Sequence, residues 1–385
     1  MTERLTALLT AEADLLDVPS APTATVLARG RRLHRRRRGL QVGTGLAALA
    51  IVAGVGLAAT SGSDDRDDAL DPSGTPPAAL TPDSGTVFTI GTTVHVGGGA
   101  ITAEIDDKAV KSLYYTSAGV LVRHGNNSFS DGGGPQRFSL VSPDGAVTPL
   151  DLVTEGVVHA TDPTQPYVVY VDRPQGAAVL HVRDVTTDSE VATVELPEAT
   201  DDYSSSALDG DTVYVRNGGS VLVIDWRQAT VEVSPALTSE SVAGGHAIEG
   251  YGQSPTVVDV ATGRTLLSAD LDADAYGYFR LSPDGSSALL VVEDDGPLDD
   301  EEAQTTAYDV ETGTTLTVPG ASYDYDWTSV GDLFRVTDEG VVTTCVVSTG
   351  ECTDSTPELD TLPDANYLTR TVEDDLVLGG VTRES

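Results

Sequence analysis

A short phrase that joins a β-prone stretch, an aspartate and a turn recurs through most of this chain. Its clearest copies are DVATG at 259–263 and DVETG at 309–313. In a type I turn the aspartate accepts hydrogen bonds from turn amides and the glycine adopts a positive φ at low cost, so we interpret the phrase as structural. The equivalent positions are Asp184, Asp225, Asp259, Asp309 and Ser348, at intervals of 41, 34, 50 and 39 residues that average 41. The long interval contains an acidic insert at 293–302.

From Thr86 to the end, valine, threonine and tyrosine alternate with polar residues, and Gly, Pro, Asp and Ser interrupt them every 8–12 residues. No stretch has a helical period, so this region is predicted to be all-β. A repeat near 40 residues with four strands per unit predicts a β-propeller. We expect six complete blades near 109–152, 156–196, 203–234, 242–270, 276–318 and 322–355. Strands near 86–96 and 101–105 would join strands near 366–372 and 374–380 in a seventh blade that closes the ring, although six or eight blades remain open.

These motifs also carry a family resemblance. SPDG occurs at 142–145 and at 282–285, and each copy lies between two apolar strands. Together with DVATG and DVETG, these phrases make residues 86–385 similar to the β-propeller superfamily, of the surface-layer and WD40-like kind. The resemblance implies the fold and indicates no particular activity.

The amino-terminal part has a different character. Seven arginines fall between 29 and 38, and residues 39–60 then carry no charge. That apolar run would span roughly 33 Å as a helix, enough for the hydrocarbon core of a bilayer, and arginines remain on the cytoplasmic side. We therefore expect a cytoplasmic stub at 1–38, a transmembrane helix at 39–60, a flexible linker at 61–85 and an extracytoplasmic propeller at 86–385. Cleavage after 58–61 as a signal peptide is the alternative.

This layout resembles that of single-pass membrane proteins from high-GC Gram-positive bacteria, some of which are anti-sigma factors. The resemblance implies a cytoplasmic partner for residues 1–38. A zinc-binding domain of that kind needs a cluster of histidine and cysteine, whereas this segment has only His34 and no cysteine.

Charge divides the chain in the same way. Residues 1–60 hold 8 basic and 4 acidic side chains, a net of +4, and the remainder holds 14 basic and 56 acidic ones, a net of −42. Such an acidic surface repels nucleic acid and anionic lipid, so we expect neither as a partner. It suits a solvated exterior, a cationic ligand or calcium.

The chain has two cysteines, Cys345 and Cys352, which flank a turn signal at 348–350. We predict that they lie on neighbouring strands of one hairpin and form a disulfide, as the extracytoplasmic location would allow. A metal site is the less favoured alternative, because two cysteines without a nearby histidine make a poor zinc site.

A search for catalytic and metal-binding motifs yields no site residues. The histidines (His34, His95, His124, His159, His181 and His246) are isolated in sequence and match no zinc pattern, and no GxSxG motif occurs. We expect no cofactor. The alternating carboxylates of Asp270, Asp272 and Asp274 leave calcium open, although no glutamate closes the loop. Tyr323, Tyr325 and Trp327 alternate with aspartates, which predicts that the three rings share one sheet face.

These patterns favour a membrane-anchored extracytoplasmic propeller that binds a protein, a peptide or a cell-wall ligand. Two alternatives stay open, namely a transmembrane regulator with an anti-sigma-like stub and a hydrolase or lyase working in the propeller channel. We do not expect an enzyme.

Overall fold

Every described strand belongs to one of seven four-stranded antiparallel sheets. The computed structural model describes residues 85–127, 134–173, 177–197, 206–272, 275–293, 303–364 and 371–380. The first fourteen strands are Val87–Ile90 (β1), Thr93–Val96 (β2), Ile101–Glu104 (β3), Ala109–Thr116 (β4), Gly119–Gly125 (β5), Gln136–Val141 (β6), Val147–Thr154 (β7), His159–Thr161 (β8), Tyr167–Asp172 (β9), Val179–Asp184 (β10), Ser189–Glu195 (β11), Ser206–Asp209 (β12), Thr212–Asn217 (β13) and Ser220–Asp225 (β14). The others are Thr230–Val233 (β15), Val242–Ala243 (β16), His246–Glu249 (β17), Thr256–Asp259 (β18), Thr265–Ser268 (β19), Tyr276–Leu281 (β20), Ser287–Glu293 (β21), Gln304–Asp309 (β22), Thr315–Pro319 (β23), Asp326–Trp327 (β24), Leu333–Val336 (β25), Val342–Cys345 (β26), Cys352–Ser355 (β27) and Leu376–Leu378 (β28).

The sheets are the blades of a seven-bladed β-propeller. Blades 1 to 6 each contain four consecutive strands, β4–β7, β8–β11, β12–β15, β16–β19, β20–β23 and β24–β27. The first strands of neighbouring blades contact one another, as β4 does with β8 and β12 with β16, so they surround the axis. Because the strands alternate in direction, all inner strands begin at one end of the ring, here called the upper end, and finish at the lower end. The predicted fold class is confirmed.

The seventh sheet, here called the closing blade, unites the two ends of the described chain. Its order is β28, β1, β2 and β3, and β28 pairs with β1 through Phe88 and Leu378, Thr89 and Val377, and Ile90 and Leu376. The predicted joint seventh blade is therefore present, and β28 is its described carboxyl-terminal strand. The other strand predicted at this end, near 366–372, falls mostly outside the described residues. Residues 371–375 form a turn, and 365–370 lie outside the described residues.

Apolar side chains pack between blades because successive residues of a strand point to opposite sheet faces. On β4, Leu113 and Tyr115 join the cluster shared with the closing blade, whereas Tyr114 joins the cluster shared with blade 2. All three are at most 1% exposed. Each blade thus contributes to two interfaces, and the ring is held by contacts between blades as well as within them.

The repeated aspartates cap the turns between third and fourth strands, as predicted. The Asp259 carboxylate accepts hydrogen bonds from the Thr262 amide and hydroxyl, and Asp309 does the same with Thr312. In blades 2 to 6 a residue with positive φ follows four positions after the start of the turn, in the pairs Asp184 and Asp188, Asp225 and Ala229, Asp259 and Gly263, Asp309 and Gly313, and Val346 and Gly350.

One detail of the predicted repeat is wrong. The Gly350 amide bonds the Val346 carbonyl as Gly313 bonds Asp309, so Val346 and not Ser348 occupies the equivalent position in blade 6. The two SPDG copies each lie between two strands, as predicted, but at different places in a blade. Residues 142–145 join the third and fourth strands of blade 1, whereas residues 282–285 join the first and second strands of blade 5. The phrase marks one turn conformation, in which the serine hydroxyl bonds the aspartate, at two different places in a blade.

Among the described residues, no helix has the length and apolar character to cross a membrane. The predicted stub, transmembrane helix and nearly all of the linker fall in residues 1–84, outside the described part, so those three boundaries remain predictions.

Candidate functional site

The predicted disulfide is present in blade 6. Cys345 and Cys352 face each other in the register of β26 and β27, and their sulfurs are 2.05 Å apart. Cys345 is 1% exposed and packs in the core, whereas Cys352 lies on the exposed edge strand. The alternative of a cysteine metal pair is wrong, because both thiolates are consumed by the disulfide.

The five described histidines occupy separate structural positions. His95 stacks on Phe88, and burial lowers its pKa, although Glu104 and Asp360 act in the opposite direction. His246 bonds the Gly285 carbonyl at 2.9 Å across the lower end of blades 4 and 5. His159 and His181 both contact the Tyr170 ring, in blade 2. The described part of the chain contains no group of three or more His, Cys, Asp or Glu side chains placed to hold a metal ion.

Blade 1 contains a hydrogen-bonded chain that sequence reasoning missed. The Asp107 carboxylate lies 2.6 Å from His124 Nδ1, and His124 Nε2 lies 3.0 Å from the Ser139 hydroxyl. This is the bonding order of a hydrolytic triad. However, Ser139 is 3% exposed, the side chains of Asp107 and His124 are 5% and 7% exposed, and Arg137 bonds both oxygens of Asp107. The three side chains are almost inaccessible to a substrate, so we interpret the arrangement as a structural network.

The predicted aromatic face is wrong, and the predicted calcium loop is only partly described. Tyr325 and Trp327 are buried in one cluster with blade 5, but Tyr323 lies in a turn and is 54% exposed, so the three rings do not share a sheet face. The strand begins only at Asp326, and alternation does not extend back into a turn. Asp270 and Asp272 are exposed, while Asp274 and residues 294–302 of the acidic insert lie outside the described residues. Calcium binding there stays a prediction.

Three tyrosines meet where blade 4 contacts the inner strand of blade 5. The loop at 250–255 reaches the channel edge of β20, and Gly252 pairs with Gly277 through two backbone hydrogen bonds of 2.9 and 3.0 Å. Gly277 has no room for a side chain, because a Cβ there would lie 2.6 Å from the Val291 carbonyl oxygen and 2.8 Å from Leu271 Cδ1.

The Gly252 and Gly277 pairing brings three tyrosines together, and we call Tyr251, Tyr276, Tyr278 and Glu293 the tyrosine platform. The Tyr251 ring lies 6.4 Å from Tyr276, nearly parallel at 16°, and 6.1 Å from Tyr278. Across β20 and β21, Tyr276 is opposite Glu293, and the Tyr251 hydroxyl donates to Glu293 Oε2 at 2.6 Å. Burial, together with this carboxylate, raises the pKa of Tyr251. Tyr276 is 50% exposed at the upper end of the ring.

Below the platform, a charged pair joins blade 5 to blade 6. Arg280 on β20 donates to the Tyr325 carbonyl at 2.5 Å and lies 3.7 Å from Asp326 Oδ1. Burial raises the pKa of Asp326 to about 6, although Arg280 and the Trp327 amide act against the shift. Since Arg280 follows Tyr276 and Tyr278 at alternate positions, the three side chains share a face of β20.

Sequence reasoning did not identify the platform. Tyr276 and Tyr278 flank Gly277 in an alternating strand, which is a usable signal for a shared face. Tyr251, however, comes from another blade, and the Gly252 and Gly277 pairing that positions it is a long-range backbone contact with no local sequence signature.

No protein-family model matches this chain, and a search of curated proteins finds no match. Solved structures with a similar fold include apo AztD from Citrobacter koseri, with 13% identity, a TM-score of 0.45, and coverage of 77% of this chain and 99% of that one. Hsv2 from Kluyveromyces lactis has 12% identity, a TM-score of 0.39, and coverage of 62% and 73%. TolB from Acinetobacter baumannii has 11% identity, a TM-score of 0.37, and coverage of 76% and 65%. These likenesses concern the fold alone.

Proposed function

We propose that this chain is a membrane-anchored extracytoplasmic propeller that binds a partner protein or peptide through the tyrosine platform. The observation that carries the proposal is the half-exposed Tyr276 ring, held beside Tyr251 and Tyr278 at the upper end of the ring. Tyrosine is enriched at protein interfaces because its ring supplies a large contact area at low entropic cost and its hydroxyl remains polar.

Backbone hydrogen bonds hold the 250–255 loop beside the platform, which favours recognition. The Gly252 and Gly277 pairing fixes the loop at one side, and the Leu271 amide bonds the Gln253 carbonyl at 2.8 Å on the other. Tyr251 is further held by its hydrogen bond to Glu293. A surface ordered before binding loses little conformational entropy when a partner arrives.

The membrane part of the proposal rests on sequence. The uncharged run at 39–60 and the arginines before it support an amino-terminal anchor with the propeller outside the cell. Residues 1–38 would then be available to a cytoplasmic partner, as the transmembrane-regulator alternative requires.

Photo-crosslinking in the source cells tests the binding surface. A benzophenone amino acid would replace Tyr276 in the full-length chain, and the control would replace Val233, which is 60% exposed on the outer strand of blade 3. A discrete adduct at 276 that is missing at 233 supports the proposal. Equal labelling at both positions, or labelling at neither, would contradict it, and an adduct to cell-wall material would replace the protein partner by a cell-wall ligand.

A further inference from the structure

We infer that the tyrosine platform recognises a cationic side chain, the ammonium of lysine or the guanidinium of arginine, within a basic segment of the partner. This inference rests on the proposed function and names the chemistry of the ligand. The occupant is a peptide segment, since the platform lies open at the upper end of the ring.

The rings supply the first part of the argument. The face of a tyrosine ring carries negative electrostatic potential, and a cation within about 6 Å of the centroid is attracted to it. Tyr251 and Tyr276 are nearly parallel with centroids 6.4 Å apart, and Tyr278 lies 6.1 Å from Tyr251. A cation at the half-exposed Tyr276 ring is therefore attracted to an aromatic face at the edge of a three-ring group.

The Glu293 carboxylate is the second feature that favours a cation. Among the described residues, Glu293 accepts a hydrogen bond from Tyr251 and forms no ion pair with a cation. Arg280, the cation on the same face of β20, is committed to the Tyr325 carbonyl and Asp326. The platform thus contains a negative charge and aromatic faces, and its own strand offers no cation to neutralise them.

The surroundings add charge of the same sign. Asp270 and Asp272 are exposed on either side of Leu271. The Leu271 amide donates a hydrogen bond to the Gln253 carbonyl, which places both aspartates beside the 250–255 loop. An anionic ligand would be repelled here. An apolar ligand that covered the platform would remove the half-buried Glu293 carboxylate from water without a partner, which is costly. A cation satisfies both the rings and the carboxylate.

Fluorescence anisotropy with the purified full-length protein tests this inference. The probe is a labelled glycine-serine peptide with two lysines, and its neutral counterpart has norleucine at both positions. We expect the lysine peptide to bind about tenfold more tightly than the norleucine peptide, and Tyr276→Ala to weaken it by about tenfold. Tyr276→Ala leaves the net charge unchanged, so this loss cannot come from the acidic surface as a whole.

A charge-matched pair of variants provides the control. Glu293→Gln should weaken lysine binding by about tenfold, whereas Glu232→Gln, an exposed glutamate on β15, should leave it unchanged. Equal weakening by both variants would show diffuse attraction to an acidic protein and overturn the inference. Equal binding of the norleucine peptide would also overturn it. If Tyr276→Ala fails to fold, Tyr276→Leu removes the aromatic ring, keeps an apolar side chain and should weaken lysine binding by a similar factor.

The two proposals can fail separately. A crosslink at position 276 without preference for the lysine peptide would refute the cation chemistry and leave the binding surface intact. Absence of both would refute the proposed function itself.

Discussion

The Arg137 guanidinium donates two hydrogen bonds to the Asp107 carboxylate, from Nε at 2.8 Å and from Nη2 at 2.6 Å. Asp107 precedes β4, and Arg137 lies on β6, so the pair ties the entry of blade 1 to its third strand. Burial opposes ionisation of Asp107, but the bonds from Arg137, His124 and the Lys108 amide outweigh it and lower the pKa to about 2.

Asp107→Asn should therefore destabilise the protein by about 2 kcal/mol at neutral pH. Because the folded pKa lies below the ordinary 3.8, this stabilisation is present above pH 3.8 and is lost as the pH falls through 2. Urea unfolding at pH 7 and pH 3 measures the difference. As a control, Asp211→Asn breaks an exposed pair with Arg227 and should cost at most about 0.5 kcal/mol. Equal costs for the two variants would contradict a special role for the blade 1 network.

Asp326 should respond to pH in the opposite direction. Its pKa is raised to about 6, so the folded state binds more protons than the unfolded state between pH 3.8 and 6. Stability due to this group is complete below pH 3.8 and falls as the pH rises through 6. Relative to wild type, Asp326→Asn should gain stability from pH 4 to pH 7.5, on the order of 3 kcal/mol. A difference between the two proteins that does not change with pH would refute the raised pKa.

Gly277→Ala should disrupt the base of the tyrosine platform. The added Cβ would meet the Val291 carbonyl oxygen and the Leu271 side chain, so β20, β21 or Leu271 must shift, at a cost of about 1–3 kcal/mol. Gly219→Ala is the matched control, because nothing lies within 4 Å of its Cβ, and it should change stability by less than about 0.5 kcal/mol. Chemical unfolding of both variants measures the costs, and a silent Gly277→Ala would contradict the close approach.

Removal of β28 should open the ring. Deletion of residues 376–385 removes the pairing with β1 and exposes the edge formed by Phe88 and Ile90, which are at most 3% exposed in the intact protein. We expect a loss of about 3 kcal/mol or more and association of the exposed edges. Thermal unfolding and size-exclusion chromatography would report both effects. Deletion of 381–385 alone retains β28 and should have neither effect; a ring that survives loss of β28 would refute closure.

The fold was predictable because the turn chemistry is local and repeated. Asp259 and Asp309 lie in turns whose hydrogen bonds fall within five residues, and turns of this spacing recur in blades 2 to 6. A local turn does not fix its place in a blade, because the SPDG conformation occurs both between third and fourth strands and between first and second strands. The pairing of β28 with β1 joins residues almost the whole domain apart, and alternation alone does not specify its register.

The site was less predictable for the same reason. Tyr276 and Tyr278 share a face by alternation, but Tyr251 reaches them through a backbone contact between blades. The Asp107, His124 and Ser139 network joins residues from a loop and two strands at separations of 15 to 17 residues. Neither arrangement forms a motif in the sequence, since each depends on the register of strands within and between blades.

Hydrogen exchange of the full-length protein, with and without the two-lysine peptide, tests the central claim most directly. Residues 250–255 and 276–281 contain the three tyrosines of the platform. Proteolytic fragments that cover these residues should therefore exchange more slowly when the two-lysine peptide is bound. Peptides from β14 and β15 in blade 3 should be unchanged. Protection in blade 3, or exchange at 250–255 and 276–281 that does not respond to a bound lysine peptide, would contradict the assignment of this surface as the binding site.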